Sequence, residues 1–325
     1  MKLRALLAAL ALVASQAADA AYDKFYVFGD SLSDTGNAAA LSGGAFPGTP
    51  SGTASTGPVA ADYMASYFGV SGYGPSATGG SNYAVIGATT GTKNFNYEIN
   101  DPAGVNGIPG LASSGMTSQL AAFITAAPTF DPNSTLFMVW GGPNDLFLGQ
   151  ALGEDPATVT VPTAVNNLAT IVGGLAVAGA KTVLVPLMPD LGVTPLGLAS
   201  GNALLFSQIT AGFNNALTGA MAQVEQVTGI NVIIADTSAY LAQVLANPAA
   251  FGFTNTTDQC LDSAQALATG CKGYLFFDEV HPTTEAHRIL AGGFISLVPE
   301  PGTAWLLVPL VVAAGASRRL RMARR

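Results

Sequence analysis

The sequence predicts an α/β fold in three layers, a parallel β-sheet covered by helices on both faces. Three observations carry that prediction. Short apolar runs bounded by Gly, Pro or Asp alternate with longer runs of helical periodicity. Strands separated by helices need crossover connections, which set neighbouring strands parallel and cover both faces of the sheet. The composition, 49% hydrophobic against 10% charged with 38 glycines, is that of an apolar, loop-rich chain and excludes a disordered one. At 325 residues there is ample chain for a core. One domain over residues 21–298 accounts for the pattern, with no internal repeat and no need of a second core.

The predicted strands are 24–30, 82–87, 135–140, 182–187 and 231–236. The first is the aromatic and β-branched run Lys24-Phe25-Tyr26-Val27-Phe28, after which the chain turns small and polar. The predicted helices are 59–68, 117–126, 163–178, 203–227, 238–246 and 283–296. Two long stretches, 42–58 and 94–115, are rich in Gly, Ser, Thr, Asn and Pro, and each follows a strand end that carries a motif. Loops of that length are candidate walls of a substrate cleft, plain surface loops being the other reading. Residues 94–101 lack the ligand alternation of a calcium loop.

Both ends read as processing signals. Lys2 and Arg4, the apolar run from Ala5 to Val13 and Ala18-Asp19-Ala20 make a secretory signal peptide over residues 1–20, so the mature chain is expected to begin near Ala21. At the other end, Pro299-Glu300-Pro301 is followed by an apolar run from Trp305 to Ala316 and then by five arginines. That order over residues 299–325 resembles the PEP-CTERM sorting signal of Gram-negative bacteria. The resemblance implies transient inner-membrane association, removal by a sorting protease, and delivery to the cell surface or extracellular matrix. An ordinary C-terminal membrane anchor is the alternative.

Seven of the 12 basic residues and two of the 20 acidic ones lie in those end segments, so the body keeps 5 and 18, a net charge of −13. Such a surface repels nucleic acid and anionic headgroups, which are therefore not expected partners. The two cysteines, Cys260 and Cys271, read as a disulfide in an exported chain, worth roughly 3 kcal/mol in the chain-entropy model. Two cysteines and two histidines between 260 and 287 match no zinc spacing, so no metal is expected.

Ser31 sits at the carboxyl end of the first strand, where ligand crevices open in parallel sheets, although Asp30, Ser31 and Asp34 also suit a turn. A serine nucleophile needs a base, an acid to orient that base, and donors for the developing oxyanion. Asp278 lies three residues before His281, a spacing that lets the carboxylate hold one ring nitrogen and leave the other for the serine. His287 lies inside the last predicted helix and reads as structural. Asn144 and Gly87 follow two further strands and offer a side-chain amide and an unshielded backbone N–H. Taken singly these are ordinary turn residues.

In this order, Gly29-Asp30-Ser31-Leu32, Gly87, Gly142-Pro143-Asn144-Asp145 and Asp278-Glu279-Val280-His281 resemble the four sequence blocks of the SGNH (GDSL) hydrolases. The extended runs from Phe28 to Asn37, Ser55 to Val59 and Phe277 to Thr283 resemble the branch of secreted and autotransported lipases and esterases. The resemblance spans nearly the whole body. It implies a flavodoxin-like sandwich and a cofactor-free ester hydrolase, with Ser31 as nucleophile, His281 as general base and acid, and Asp278 orienting it. The Ser31 and Gly87 N–H groups and the Asn144 side chain would form the oxyanion hole. Asp34 and Asn37 would only shape the serine's turn. The chain departs from many members at Ile86, where they have Gly, and at Pro143, where they have a small residue. These departures bear on substrate choice, whether small-molecule or lipid esters. Deacetylation of extracellular polysaccharide and a non-catalytic surface protein on the same fold are the competing readings. No G-x-S-x-G elbow is present to support an α/β-hydrolase fold.

Overall fold

The computed structural model of the chain describes residues 22–100 and 108–300. Its main elements are β1 (Lys24–Gly29), α1 (Ala60–Phe68), α2 (Met116–Ala126), β2 (Thr135–Trp140), α3 (Pro143–Leu152), α4 (Val161–Val177), β3 (Thr182–Pro186), α5 (Ala203–Thr228), β4 (Asn231–Ala235), α6 (Thr237–Ala246), β5 (Asn255–Gln259), β6 (Tyr274–Phe276) and α7 (Thr284–Leu297). The predicted signal peptide, and the sorting segment beyond Glu300, lie outside the described residues.

Four strands form one sheet in the order β1-β2-β3-β4, all parallel. Side chains alternate between faces with a period of two, and both faces are covered, which is why the strands read as unbroken apolar runs. Phe25, Val27, Leu136, Met138 and Trp140 pack on α1 and α7 through Met64 and Phe294. Tyr26, Phe28, Phe137 and Val139 pack on α2, α4 and α5 through Phe123, Leu168 and Phe213. The predicted three-layer parallel architecture is therefore the one observed.

The predicted strand 82–87 needs correction. It runs extended beside β1, with Val27 N–H donating to Ser81 O, Tyr83 N–H to Val27 O and Val85 N–H to Gly29 O. It does not become a regular strand, because the Asn37 side chain donates to the Asn82 and Ala84 carbonyls on its outer edge, and Gly74 and Ser76 bond Asn82. Counting this segment, the spatial order of the extended runs is 2-1-3-4-5, and the order reverses beside β1. That reversal is where a doubly wound sheet opens a ligand crevice.

Three features were not predicted. Helix α3 lacks an apolar stripe but starts immediately after β2, where Gly142 adopts φ 129 and Pro143 takes the first helical position. Pro143 thus occupies a site whose N–H has no helical partner anyway. Within the expected loop 94–115, a short helix covers Phe95–Asn100 and a 3-10 turn covers Pro109–Leu111. Strands β5 and β6 pair in parallel as a separate two-stranded sheet, although β5 is the polar run Asn-Thr-Thr-Asp-Gln. Cys260 and Cys271 do form a disulfide across 11 residues. Both are buried in a small cluster with Ala266 and Phe277, so the bridge packs on the residue before Asp278.

Candidate active site

At Gly29, the last residue of β1, a buried side chain joins the main-chain pairing. The Gln119 side chain takes both of that residue's main-chain groups, accepting from Gly29 N–H at 2.9 Å and donating to Gly29 O at 2.8 Å. The next turn is closed by Asp30, whose Oδ1 accepts from Leu32 N–H at 3.0 Å and whose carbonyl accepts from Ser33 and Asp34. Ser31 is thereby presented to a cleft of about 110 Å³. Asp34 accepts from four N–H groups, those of Gly36, Asn37, Ala38 and Ile86. Asp34 and Asn37 therefore shape the serine's turn, as expected, and also tie segment 82–87 to it.

Three residues far apart in sequence converge on this cleft. Ser31 Oγ lies 2.7 Å from His281 Nε2, and His281 Nδ1 lies 2.6 Å from Asp278 Oδ2. The other Asp278 oxygen accepts from Val280 N–H at 2.9 Å and His281 N–H at 2.7 Å, which fixes the carboxylate against the ring. A carboxylate on Nδ1 selects the tautomer that leaves Nε2 to accept from a hydroxyl.

Gly87 lines the same cleft at φ 81, a conformation suited to glycine. A Cβ there would collide with Asn96 Nδ2 and Asn94 Oδ1. Asn144, in the first turn of α3, donates to Ala88 O at 3.1 Å, and its amide carries a second hydrogen for a ligand. His287 is kept apart from this group. It is buried in α7, where Nδ1 accepts from Ala60 N–H at 3.3 Å, the structural place expected of it.

The family model described as GDSL-like Lipase/Acylhydrolase matches residues 25–294. The chain belongs to that family. Among its relatives, the thermolabile hemolysin of Vibrio parahaemolyticus is 29% identical, over 83% of this chain and 62% of its own length. Lipase 1 of Photorhabdus luminescens is 26% identical, over 88% of this chain and 52% of its own length. This GDSL-family chain thus spans little more than half the length of those relatives. A GDSL-like lipase structure from Parabacteroides merdae superposes with a TM-score of 0.48 at 14% identity, over 86% of this chain and 97% of the other.

Electrostatics in the GDSL-family cleft follow from burial and pairing. Burial alone would raise the Asp278 carboxyl, but the His281 charge and three hydrogen bonds outweigh it and hold the group below its usual range. Burial would lower His281, and Asp278, with a smaller contribution from Asp30, carries it above ordinary imidazole. Asp30 itself is 1% exposed, with no hydrogen-bond partner for Oδ2 among the described residues, and burial pushes it up to about 7 against the pull of Leu32 N–H and His281.

Two positioning residues have roles that the sequence does not reveal. Asn94 donates to Ile86 O and accepts from Asn96 and Tyr97 N–H, which shapes the segment around Gly87. Asp145 accepts from both the N–H and the hydroxyl of Thr90, tying α3 to the chain just after Gly87. Such residues look like any other loop polar group until burial is known. Ile86 and Phe147 add apolar surface to the cleft lining.

Proposed function

We propose that this protein hydrolyses carboxylic esters through an acyl-enzyme on Ser31. The observation that carries the reading is the unbroken hydrogen-bonded chain from Ser31 Oγ through His281 to Asp278, at 2.7 and 2.6 Å. Ser31 Oγ attacks the carbonyl carbon while His281 Nε2 takes its proton. The carbonyl oxygen becomes an oxyanion, held by Ser31 N–H, Gly87 N–H and the Asn144 amide. As the tetrahedral species collapses, the carbon–oxygen bond to the alcohol breaks and His281 returns the proton to the leaving oxygen. Water then attacks the acyl-enzyme, gives its proton to His281 and releases the acid, and Ser31 recovers its proton. Asp278 keeps the ring oriented and stabilises the imidazolium throughout.

Lipase 1 is a relative named for this kind of chemistry, and it supports the reading. The signal-peptide and sorting-signal patterns support export and delivery to the cell surface or matrix, with ester substrates met there. Cell fractionation followed with an antibody to the catalytic body tests that placement, and retention in the cytoplasm would remove it. For the chemistry, a folded Ser31→Ala variant is expected to lose at least about 10⁴-fold in kcat/KM on p-nitrophenyl esters. Parent-level turnover by that variant refutes the mechanism. Stoichiometric labelling of the parent by a fluorophosphonate, and none of the variant, is the matching positive result.

A further inference from the structure

A second cavity lies against the catalytic cleft, and its chemistry differs. The two share Leu32, Pro189 and Val280 as walls, so the residue after Ser31 and the residue before His281 stand between them. Behind that wall the second cavity, of about 50 Å³, runs between α6, α7 and β6 and is bounded by Trp140, Leu241, Val244, Leu275, Phe276 and Ala286. Its few polar side chains are already engaged. Thr194 Oγ1 donates to Leu191 O at 2.7 Å, Thr237 Oγ1 to Leu187 O at 2.5 Å, Tyr240 OH to Gly293 O at 3.4 Å, and Trp140 Nε1 to Leu187 O at 3.1 Å.

We infer that this apolar pocket receives, past the shared Leu32, Pro189 and Val280 side chains, a hydrocarbon substituent of the ester whose carbonyl sits at Ser31, and that it makes the enzyme select esters with a substituent of several carbons over the shortest ones. The inference rests on the ester-hydrolase reading and names its substrate class. A hydroxyl-rich group such as a sugar would find no free side-chain donor in the pocket and would lose most of its hydration on entering. A methylene loses nothing there. At roughly 10–15 Å³ for each water-sized group, the space accommodates about three or four carbons. Each is expected to raise kcat/KM about fourfold, the factor that corresponds to burying one methylene. The hydrocarbon belongs either to the acyl chain or to the alcohol, and the two sources share this chemistry.

Two substrate series separate the sources: p-nitrophenyl acetate through decanoate, and ethyl through octyl acetate. The expected result is a rise over three or four carbons in one series. Ala286→Leu, which adds bulk to the pocket lining, should move that optimum down by two or three carbons. Leu241→Phe, at a half-buried wall position, supplies the same readout if the first variant does not fold. Folded variants that leave both series unchanged overturn the inference. A binding readout is independent of turnover. In the full chain carrying Trp305→Phe, Trp140 is the remaining tryptophan, and a bromoalkyl alcohol should quench its fluorescence in the parent and less so in the filled variant. Quenching without any esterase activity would refute the proposed function and keep the pocket; activity without quenching or chain-length response would do the reverse.

Discussion

Asp278 and Gly87 show what single residues are asked to do at this site. Asp278→Asn keeps the size of the group but gives the ring an amide that can donate, so Nδ1 is no longer reliably the protonated nitrogen. The expected loss is on the order of 10³- to 10⁴-fold in kcat with KM little changed, read by steady-state kinetics. Gly87→Ala should cost activity and stability together, because φ 81 strains any Cβ and the methyl meets Asn94 and Asn96. A variant with parent kcat/KM would mean the segment can shift without disturbing the oxyanion position. The sequence made both residues legible for opposite reasons. Asp278 precedes one of only two histidines by three residues, whereas Gly87 closes an apolar strand-like run. Gln119, which bonds both main-chain groups of Gly29 at the end of β1, was not legible. Nothing in its local sequence distinguishes it from a solvated helix residue, and only its burial at 4% reveals the role.

Among the elements, those built on alternating or periodic apolar residues were readable, and those held by polar contacts were not. β1 to β4 and their covering helices follow the predicted positions within a few residues. β5 carries no apolar alternation and exists because Thr254 and Asn255 bond Gly273 O and because the disulfide closes the following loop. This small subdomain matters to the chemistry. Phe277 N–H donates to His281 O, Leu261 N–H donates to Phe277 O, and Phe277 packs on the cystine. The bridge therefore stabilises the stretch that carries Asp278 and His281 while the main sheet has a separate core. Replacing both cysteines by serine is expected to cost about 3 kcal/mol. The loss should appear first as local opening. In a urea titration of the variant, esterase activity should disappear at a lower concentration than the circular dichroism of the helices, whereas the two coincide in the parent. Coincident transitions in the variant would show that the two sheets unfold as one unit.

For the molecule as a whole, buried aspartates set the dependence of stability on pH. Burial raises Asp30 to about 7, and Asp34 and Asp145 each to about 6, despite the N–H and hydroxyl groups that they accept from. An unfolded chain releases those protons near pH 4, so between about 4 and 7 the native state holds more protons and stability falls as pH rises. His281, raised by Asp278, acts in the same direction: its contribution is full below the unfolded value of about 6.5 and is lost as pH rises through the folded one. His287 opposes them. Burial lowers it to about 3, so the unfolded state takes up its proton below about 6.5 and stability rises with pH through that interval. Three carboxyl groups and one imidazole outweigh one imidazole. A net charge of −8 at pH 7 adds self-repulsion on the alkaline side. The melting temperature should therefore decline from pH 5 to pH 8. Asp30→Asn keeps an acceptor for Leu32 N–H and removes the group with the largest of the three shifts, so it should flatten that decline and raise the melting temperature at pH 8 more than at pH 5. Thermal unfolding of parent and variant at those two pH values decides the matter, and a parent that becomes more stable toward pH 8 would show that the buried aspartates ionise without penalty.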